Sequence, residues 1–281
     1  MSAESAAQAA DFLRTNDRER YYATLILPEA QRAAVQSLFA FNADIAMVRE
    51  RVTEPAPGEI RLQWWVDALE GEGHGAVRLN PLADALLDTL TELRLPKTPL
   101  VRLVEARRFD LYQDPMPDLA TFEGYAGETV SVLYQLAAMI LNGGAPVEAA
   151  DAAGHLGVAQ ALIGHLRAFG YNAARGRIFL PWSILAANGV REEEIFAATI
   201  SEGLLSAHQQ ICDVAGVHLG KAEVAIASLP ARLRPAFAAV SLLSGQLRRV
   251  EAGAERAFAP PPDLADWQKI AMLAWWGWRN R

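Results

Sequence analysis

The strongest constraint on the fold is a helical spacing of apolar residues that recurs along the whole chain. From Pro28 to about Val52, apolar side chains return every three or four residues, which is the period of one helix face. The same pattern predicts helices over residues 59–71, 81–93, 98–112, 118–142, 147–170, 191–200, 202–228, 230–253 and 264–278, with Pro or Gly between them. Val, Ile and Thr never alternate with polar residues long enough to predict a strand. The sequence therefore predicts an all-α protein.

The chain organisation predicts one domain over residues 1–281. Hydrophobic residues make up 52% of the 281, enough for one large core. The two Pro-rich breaks, residues 54–58 and 259–262, do not have the character of domain boundaries. We expect residues 1–16 to be flexible and residues 264–281 to form an aromatic C-terminal helix.

Charge and composition exclude several classes of protein. The net charge of −7 and the isoelectric point near 5.3 disfavour nucleic-acid binding, which needs a basic surface. The single Cys212 excludes an intramolecular disulfide. The N-terminal residues resemble neither a secretory signal nor a transit peptide, and no run of about 18 apolar residues predicts a spanning helix. We expect a cytoplasmic protein, with peripheral contact to the inner membrane left open.

Three stretches interrupt apolar helices with polar side chains, which is where a helical bundle holds a ligand site. They are residues 17–22 with Arg32 and the following FAFNADIAMVRE, then GEIRLQWWVDALEG, then GHLRAFGYNAARGRIFLP with the preceding ARRFDLY and FEGYAGETVSVLY. Taken singly, each fits a satisfied polar contact between packed helices. Together they leave several arginines near apolar faces, which is costly unless they meet carboxylates or an anionic ligand.

The order of these segments resembles the squalene and phytoene synthases. It runs DRERYYATLILPEAQRAAVQSLFAFN, EIRLQWW, FDLY, EGYAGET, LGVAQALIGHLRA and ARGRIFLP, over roughly residues 17–185. The resemblance implies an all-α, isoprenoid-synthase-type helical bundle with a central cavity. Enzymes of that family join two prenyl diphosphates head to head, using magnesium ions held by two facing acidic motifs.

Most acids of those two motifs are replaced in this chain. The first motif aligns with residues 41–50 and the second with residues 164–181, and Glu50 alone keeps one of the five expected carboxylates. The degenerate motif positions are Ala46, Met47, Gly164, Ala168 and Asn172. Residues 129–134 also place bulkier side chains where the enzymes have a glycine-bearing turn between close helices. Since magnesium needs hard oxygen ligands, we expect no cofactor and assign no catalytic or metal-binding residue.

A non-catalytic subgroup matches better, namely proteins resembling the mitochondrial complex I assembly factor with a phytoene-synthase-like domain. The AFNADIAMVRE helix, the LQWW pair, YAGET and LRA carry that resemblance. It implies an assembly or binding factor for respiratory complex I, with a protein partner such as a subunit of that complex. Enzymatic activity is left open, and the missing acids favour its absence.

Two alternatives remain open at this level. One is an active, magnesium-dependent prenyl transferase making squalene or phytoene through Glu50, Asp44 and Asp110. The other is a binder of a prenyl diphosphate or anionic lipid without turnover, in which the arginines bind the anion. The competing interpretation is that the arginines form structural ion pairs with these acids. Candidates for the vestigial pocket are Tyr21, Arg32, Asp44, Glu50, Arg61, Gln63, Arg107, Asp110, Tyr125, Arg167, Arg175 and Arg177.

The aromatic tail allows two interpretations. Trp267, Trp275, Trp276 and Trp278 lie close to Arg279 and Arg281 near the C-terminus. Tryptophan beside arginine is favourable at a membrane surface, so the tail fits a peripheral membrane contact. Packing of the last helix onto the bundle explains the same residues equally well.

Overall fold

The computed structural model describes residues 1–73 and 75–280, and within them every regular element is helical. The helices are α1 (Ala3–Asn16), α2 (Arg18–Thr24), α3 (Glu29–Ala46), α4 (Pro55–Glu70), α5 (Pro81–Glu92), α6 (Thr98–Ala106), α7 (Leu119–Ala126), α8 (Val132–Leu141), α9 (Ala150–Arg167), α10 (Phe169–Ala173), α11 (Trp182–Ala187), α12 (Glu192–Phe196), α13 (Glu202–Ser228), α14 (Val240–Ala252) and α15 (Asp266–Arg279). Short 3₁₀ turns and one π-helical segment connect several of them. The all-α prediction is confirmed.

Helix boundaries differ from the sequence pattern where backbone chemistry overrides apolar spacing. The helix predicted to continue to Val52 ends at Ala46 and passes into a 3₁₀ turn over Val48–Glu50. The helix predicted from residue 230 begins only at Val240, after a 3₁₀ turn that contains Pro235. Proline cannot donate the amide hydrogen bond that a helix interior requires, which accounts for the later start.

Residues 1–16, expected to be flexible, form a helix that is part of the core. Helix α1 packs against α3 and α5, and its Ala9 and Leu13 are fully buried. Ser5 Oγ donates a hydrogen bond of 2.6 Å to Asp84 on α5. The expectation of flexibility is therefore corrected, because an amphipathic face in this alanine-rich stretch covers the neighbouring helices.

Helix α9 closely approaches the segment that precedes α8. Residues 127–131 form a π-helical turn, and Ser131 donates a hydrogen bond to the carbonyl of Gly154 at 3.3 Å. A Cβ on Gly157 would lie 2.1 Å from Ser131 Oγ. The sequence predicts added bulk at this crossing, but the glycines lie on the partner helix and leave the room that Ser131 needs.

The interior is filled by aromatic and aliphatic side chains between the long helices. Tyr134 of α8 stacks on Phe237 with ring centroids 5.8 Å apart, and its hydroxyl donates to Gln160 of α9 at 2.5 Å. Trp65 of α4 meets Phe41 of α3 edge-on at 4.9 Å. Among the described residues, no helix combines the length and the apolar character needed to cross a membrane.

Candidate functional site where α3 and α9 end

The two degenerate motif segments lie where helices end. The residue after α3 is Met47, and the residue after α9 is Ala168, so both motifs straddle a helix terminus. Beyond α9 the short α10 carries Tyr171 and Asn172, and the chain then extends through Ile178 to Pro181. This extended stretch is held by hydrogen bonds with Met116, which donates to Ile178 and accepts from Trp182. The arrangement brings together the exits of α3 and α9, that is, the chain segments that follow the C-terminal ends of these two helices.

Glu50 occupies the space between the two exits and bridges them. Tyr171 donates its phenolic hydrogen to Glu50 Oε2, and Arg49 Nε donates to Oε1 at 2.9 Å. Arg175 and Arg177 approach the same carboxylate, each with a nitrogen 3.8 Å from an oxygen. The one carboxylate that the first motif retains is thus engaged by three cations and a phenol. We call this group of Glu50, Arg49, Tyr171, Arg175 and Arg177 the Glu50 clamp.

Aromatic rings hold the cations of the Glu50 clamp in place. The Arg175 guanidinium lies over the Tyr171 ring, 3.6 Å from its centroid, and that of Arg49 lies 4.7 Å from the Phe179 centroid. Burial raises the pKa of Glu50, but the hydrogen bond from Tyr171 and the neighbouring arginines outweigh burial and hold the pKa below its ordinary value. Glu50 is therefore a stable carboxylate whose charge is already compensated.

The residues present do not fit the magnesium ions of the family's enzymes. Mg²⁺ is held through carboxylates and requires hard oxygen ligands in nearly octahedral geometry. At the second motif, Ala168 offers no oxygen from its side chain, and Asn172 is buried and neutral. Within the described residues, no group of three or more His, Cys, Asp or Glu side chains is arranged to hold a metal ion.

Asp44 lies on α3, faces Trp65 of α4 and is not part of the Glu50 clamp. One of its oxygens accepts from Arg51 at 2.6 Å and the other from Trp65 Nε1 at 3.0 Å. Asp44 and Arg61 line a surface cleft of about 420 Å³ together with Trp64 and other residues. Gln63 makes two hydrogen bonds away from this cleft. It donates to Asp67 of α4 at 2.7 Å and accepts from Arg108, in the turn after α6, at 2.8 Å.

Asp110, Arg107 and Tyr125 form a separate buried group. Tyr125 donates its phenolic hydrogen to Asp110 at 2.6 Å, and Arg107 donates to Asp110 at 3.0 Å and to the Tyr125 oxygen at 2.8 Å. Burial raises the pKa of the Tyr125 phenol above its ordinary value. A buried carboxylate that meets both an arginine and a phenol is satisfied internally, which makes Asp110 a poor candidate for ligand binding.

Arg167, which like Arg177 is retained from the second motif, faces the C-terminal helix. It lies 3.2 Å from Asp263 and 3.6 Å from Glu19. Lys269 of α15 binds the same two carboxylates at 2.8 Å (Glu19) and 2.5 Å (Asp263), and Gln246 of α14 donates to Glu19 at 2.9 Å. We call these five residues the α15 latch.

The α15 latch contains residues that sequence reasoning missed. Glu19, Asp263 and Lys269 were not candidates for the pocket, although Lys269 is a cation on the otherwise apolar buried face of its helix and could have signalled a buried partner. The partners lie up to 250 residues apart in the chain, so no local pattern connects them.

The remaining predicted residues lie away from the Glu50 clamp. Arg32 donates to the backbone carbonyls of Leu27 at 3.1 Å and Leu25 at 3.4 Å, closing the turn before α3. Tyr21 is half-buried and meets Tyr22 edge-on at 6.0 Å. Of the twelve pocket candidates, the structure brings Glu50, Arg175 and Arg177 into the Glu50 clamp and Arg107, Asp110 and Tyr125 into a second, buried group. Asp44 and Arg61 line one surface cleft, and the remaining four lie apart.

Comparison with known proteins identifies the relatives of this helical bundle. The model of the squalene/phytoene synthase family matches residues 13–270. The chain belongs to this family. Its structure is similar to that of squalene synthase HpnC from Alicyclobacillus acidocaldarius, with a TM-score of 0.74, 19% identity and coverage of 92% of this chain and 95% of that one. This likeness confirms the isoprenoid-synthase fold that the sequence predicts.

Within the squalene/phytoene synthase family, this chain is similar to proteins named as assembly factors and to proteins named as enzymes. It is 30% identical to NADH dehydrogenase (ubiquinone) complex I, assembly factor 6 of Homo sapiens, over 86% of this chain and 72% of that protein. It is 27% identical to 15-cis-phytoene synthase of Synechococcus elongatus, over 90% of this chain and 86% of that enzyme. The resemblance to the assembly-factor subgroup is thereby confirmed.

Proposed function

We propose that this member of the squalene/phytoene synthase family is a non-catalytic assembly factor for respiratory complex I and binds a protein component of that complex. The Glu50 clamp carries the proposal, because the retained motif carboxylate is neutralised by arginines where the enzymes need free metal ligands. The similarity to the human complex I assembly factor supports the proposed assembly role. We place its action on the cytoplasmic side, in peripheral contact with the inner membrane.

The electrostatics of the clamp argue against prenyl transfer. For a magnesium diphosphate to enter between the exits of α3 and α9, Glu50 would have to leave Arg49, Arg175, Arg177 and Tyr171. It would then be the single carboxylate among the five motif positions. Loss of even one residue supporting a metal ligand typically lowers metal affinity about 10–100-fold, so the loss of four direct ligands removes the site.

The first test asks whether the chain makes a prenyl product. Purified protein is incubated with farnesyl or geranylgeranyl diphosphate and magnesium, beside the Synechococcus phytoene synthase as an active control. We expect no condensed hydrocarbon from this chain. Steady formation of squalene or phytoene would overturn the proposal and establish the prenyl transferase alternative.

The second test measures complex I directly. The gene is deleted in the organism that encodes it, and assembled complex I is followed by native gels and by NADH oxidation in isolated membranes. We expect both to fall and to be restored by the wild-type gene. Tagged protein should retrieve a complex I subunit from the complemented strain. Unchanged amounts of complex I in the deletion strain would refute the assembly role.

Binding of an anionic ligand without turnover is a second candidate, favoured by an imbalance of charge. The Glu50 clamp sets three arginines around one carboxylate, and Arg177 Nε is buried without a hydrogen-bond partner in the structure. A phosphate could exchange with Glu50 there, since guanidinium groups recognise both anions. Titration with farnesyl diphosphate in the absence of magnesium tests it: saturable binding that Arg177→Gln weakens supports the candidate, and no binding excludes it.

A further inference from the structure

Helix α15 presents a continuous apolar stripe to solvent. Trp267, Ile270, Trp275 and Trp278 are exposed, the three tryptophans by 60–70%, and Ala271 and Ala274 are exposed between them. At about 100° per residue these six positions occupy one arc of roughly 140°, which contains no charged residue. Every exposed tryptophan of residues 1–73 and 75–280 lies on this stripe. We call it the α15 stripe.

The opposite face of α15 fixes the direction of the stripe. Leu273 is buried against Tyr22, Ala238 and Leu242, and Gly277 allows the helix to approach Ile26. Lys269 on the same inner face closes the α15 latch with Glu19 and Asp263. The buried contacts of Leu273 and Gly277 and the ion network of Lys269 therefore hold the helix in one rotation. The exposure of the tryptophans follows from this docking, since burying them would expose Lys269 and Leu273 instead.

The chemistry of the α15 stripe fits the interfacial layer of a lipid bilayer. Tryptophan prefers that layer because its ring is apolar while its indole N–H remains hydrogen-bonded to headgroups or water. The stripe runs for twelve residues, about 17 Å of helix, and its three tryptophan side chains are exposed to solvent. An amphipathic helix with an aromatic face and a packed opposite face lies in the plane of a membrane surface.

The distribution of charge indicates that the stripe binds by inserting its indole rings and not by long-range electrostatic attraction. Its arc is uncharged, the exposed Arg279 lies beside it, and the whole chain carries a net charge of −7. An acidic protein is not drawn to an anionic surface over a distance, so insertion of the indoles must supply the binding free energy and Arg279 must meet a headgroup phosphate at contact. Binding should accordingly withstand salt.

We infer that α15 is a lipid-binding element that lays Trp267, Trp275 and Trp278 into the interfacial layer of a bilayer and leaves the rest of the bundle outside. This contact rests on the peripheral membrane contact of the proposed function and names the element that makes it, and vesicle binding is measured on the purified chain without any partner. A failed vesicle experiment leaves the complex I experiment standing, and the reverse also holds.

The test is co-sedimentation of the full chain with vesicles of phosphatidylcholine and phosphatidylglycerol, at low and at high salt. We expect wild-type protein to pellet at both salt concentrations and its fluorescence to be quenched by brominated phospholipid. Replacing the three tryptophans by Trp267→Ser, Trp275→Ser and Trp278→Ser should weaken partitioning by about tenfold or more. A second variant, Ala271→Asp with Ala274→Asp, keeps the tryptophans and should weaken binding similarly by placing charge in the stripe.

The matched control replaces exposed apolar side chains elsewhere, Ile60→Ser, Leu79→Ser and Phe196→Ser, and should pellet like wild type. Circular dichroism verifies that each variant remains helical. Equal pelleting of the wild-type and triple-tryptophan proteins would overturn the inference. So would loss of a protein partner from the triple variant while wild-type protein shows no vesicle binding, since the stripe would then be a protein interface.

Discussion

Tyr171 donates a hydrogen bond to Glu50 and thereby joins the chain after α9 to the chain after α3, across 121 residues of sequence. The two segments correspond to the facing acidic motifs of the family. Where the enzymes place carboxylates opposite one another around metal ions, this protein pairs a carboxylate with a phenol and arginines. Direct hydrogen bonds and ion pairs replace a metal as the link between the two helix ends.

Replacement of Glu50 by Gln should destabilise the fold. Because the carboxylate is partly solvated, we expect the free energy of unfolding at neutral pH to fall by about 1 kcal/mol. The folded-state pKa of Glu50 lies below the ordinary value of 4.5, so its contribution is present above that value and is lost as the pH falls through the folded pKa. Glu50→Gln should remove that part of the acid destabilisation.

Urea unfolding at a series of pH values measures this effect. Glu70, which is exposed on α4 and has no ion pair within the described residues, supplies the control Glu70→Gln. Identical stability and an identical pH profile for wild type and Glu50→Gln would contradict a structural role for the clamp.

Replacement of Lys269 by Met should loosen α15. The methionine fits the volume of the lysine but leaves Glu19 and Asp263 without their shared cation, with Arg167 as the remaining one. Since one carboxylate is half-exposed, we expect a loss of about 2 kcal/mol. Hydrogen exchange should rise over residues 266–279. Lys97→Met on the exposed turn before α6 is the control, and equal protection of α15 in both variants would count against the latch.

Substitution of Gly157 by Ala should disrupt the crossing of α9 with the π-helical turn. The added Cβ would lie 2.6 Å from the backbone nitrogen of Ser131, which cannot yield without moving the turn. We expect a loss of about 2–3 kcal/mol in thermal or urea unfolding. On the same helix Gly164 has open space around its Cβ direction, so Gly164→Ala should stabilise by up to about 1 kcal/mol. A neutral Gly157→Ala would show that the turn relaxes freely.

His165 should make stability fall as the medium becomes acidic. Its ring stacks on Phe179 at 5.0 Å, and burial, reinforced by Arg49, lowers its pKa to about 3. A histidine whose pKa is lowered in the fold contributes its stability above the unfolded value of 6.5 and loses it as the pH drops toward 3. Over that window it adds a slope of at most about 1.4 kcal/mol per pH unit.

The variant His165→Phe, which keeps an aromatic ring between Phe122 and Phe179, should flatten this slope. The measurement is the free energy of unfolding across the acidic range, and an unchanged slope would place the proton uptake elsewhere.

Much of the architecture follows from the sequence because it rests on local order. Apolar spacing predicted ten helical segments, and the order from DRERYY to GRIFLP predicted the family and its fold. The loss of four motif acids is equally a property of the sequence, since it needs only the register of the motifs. The predicted boundaries failed where a 3₁₀ turn interrupts an apolar run, as at Val48–Glu50 and at the turn that contains Pro235.

Sequence alone determined that this is a helical member of the family without its metal ligands; the tertiary structure decided what the remaining charged residues do. Asp44 and Glu50 lie six residues apart but face different helices, so one binds Trp65 and the other closes the Glu50 clamp. Arg167 pairs with Asp263, which lies 96 residues away in the sequence. The docking of α15 also resolved the tail, which packs through Leu273 and Trp276 while exposing Trp267, Trp275 and Trp278. Helical periodicity is a local property of the chain, whereas the pairing of charges depends on which helix faces meet.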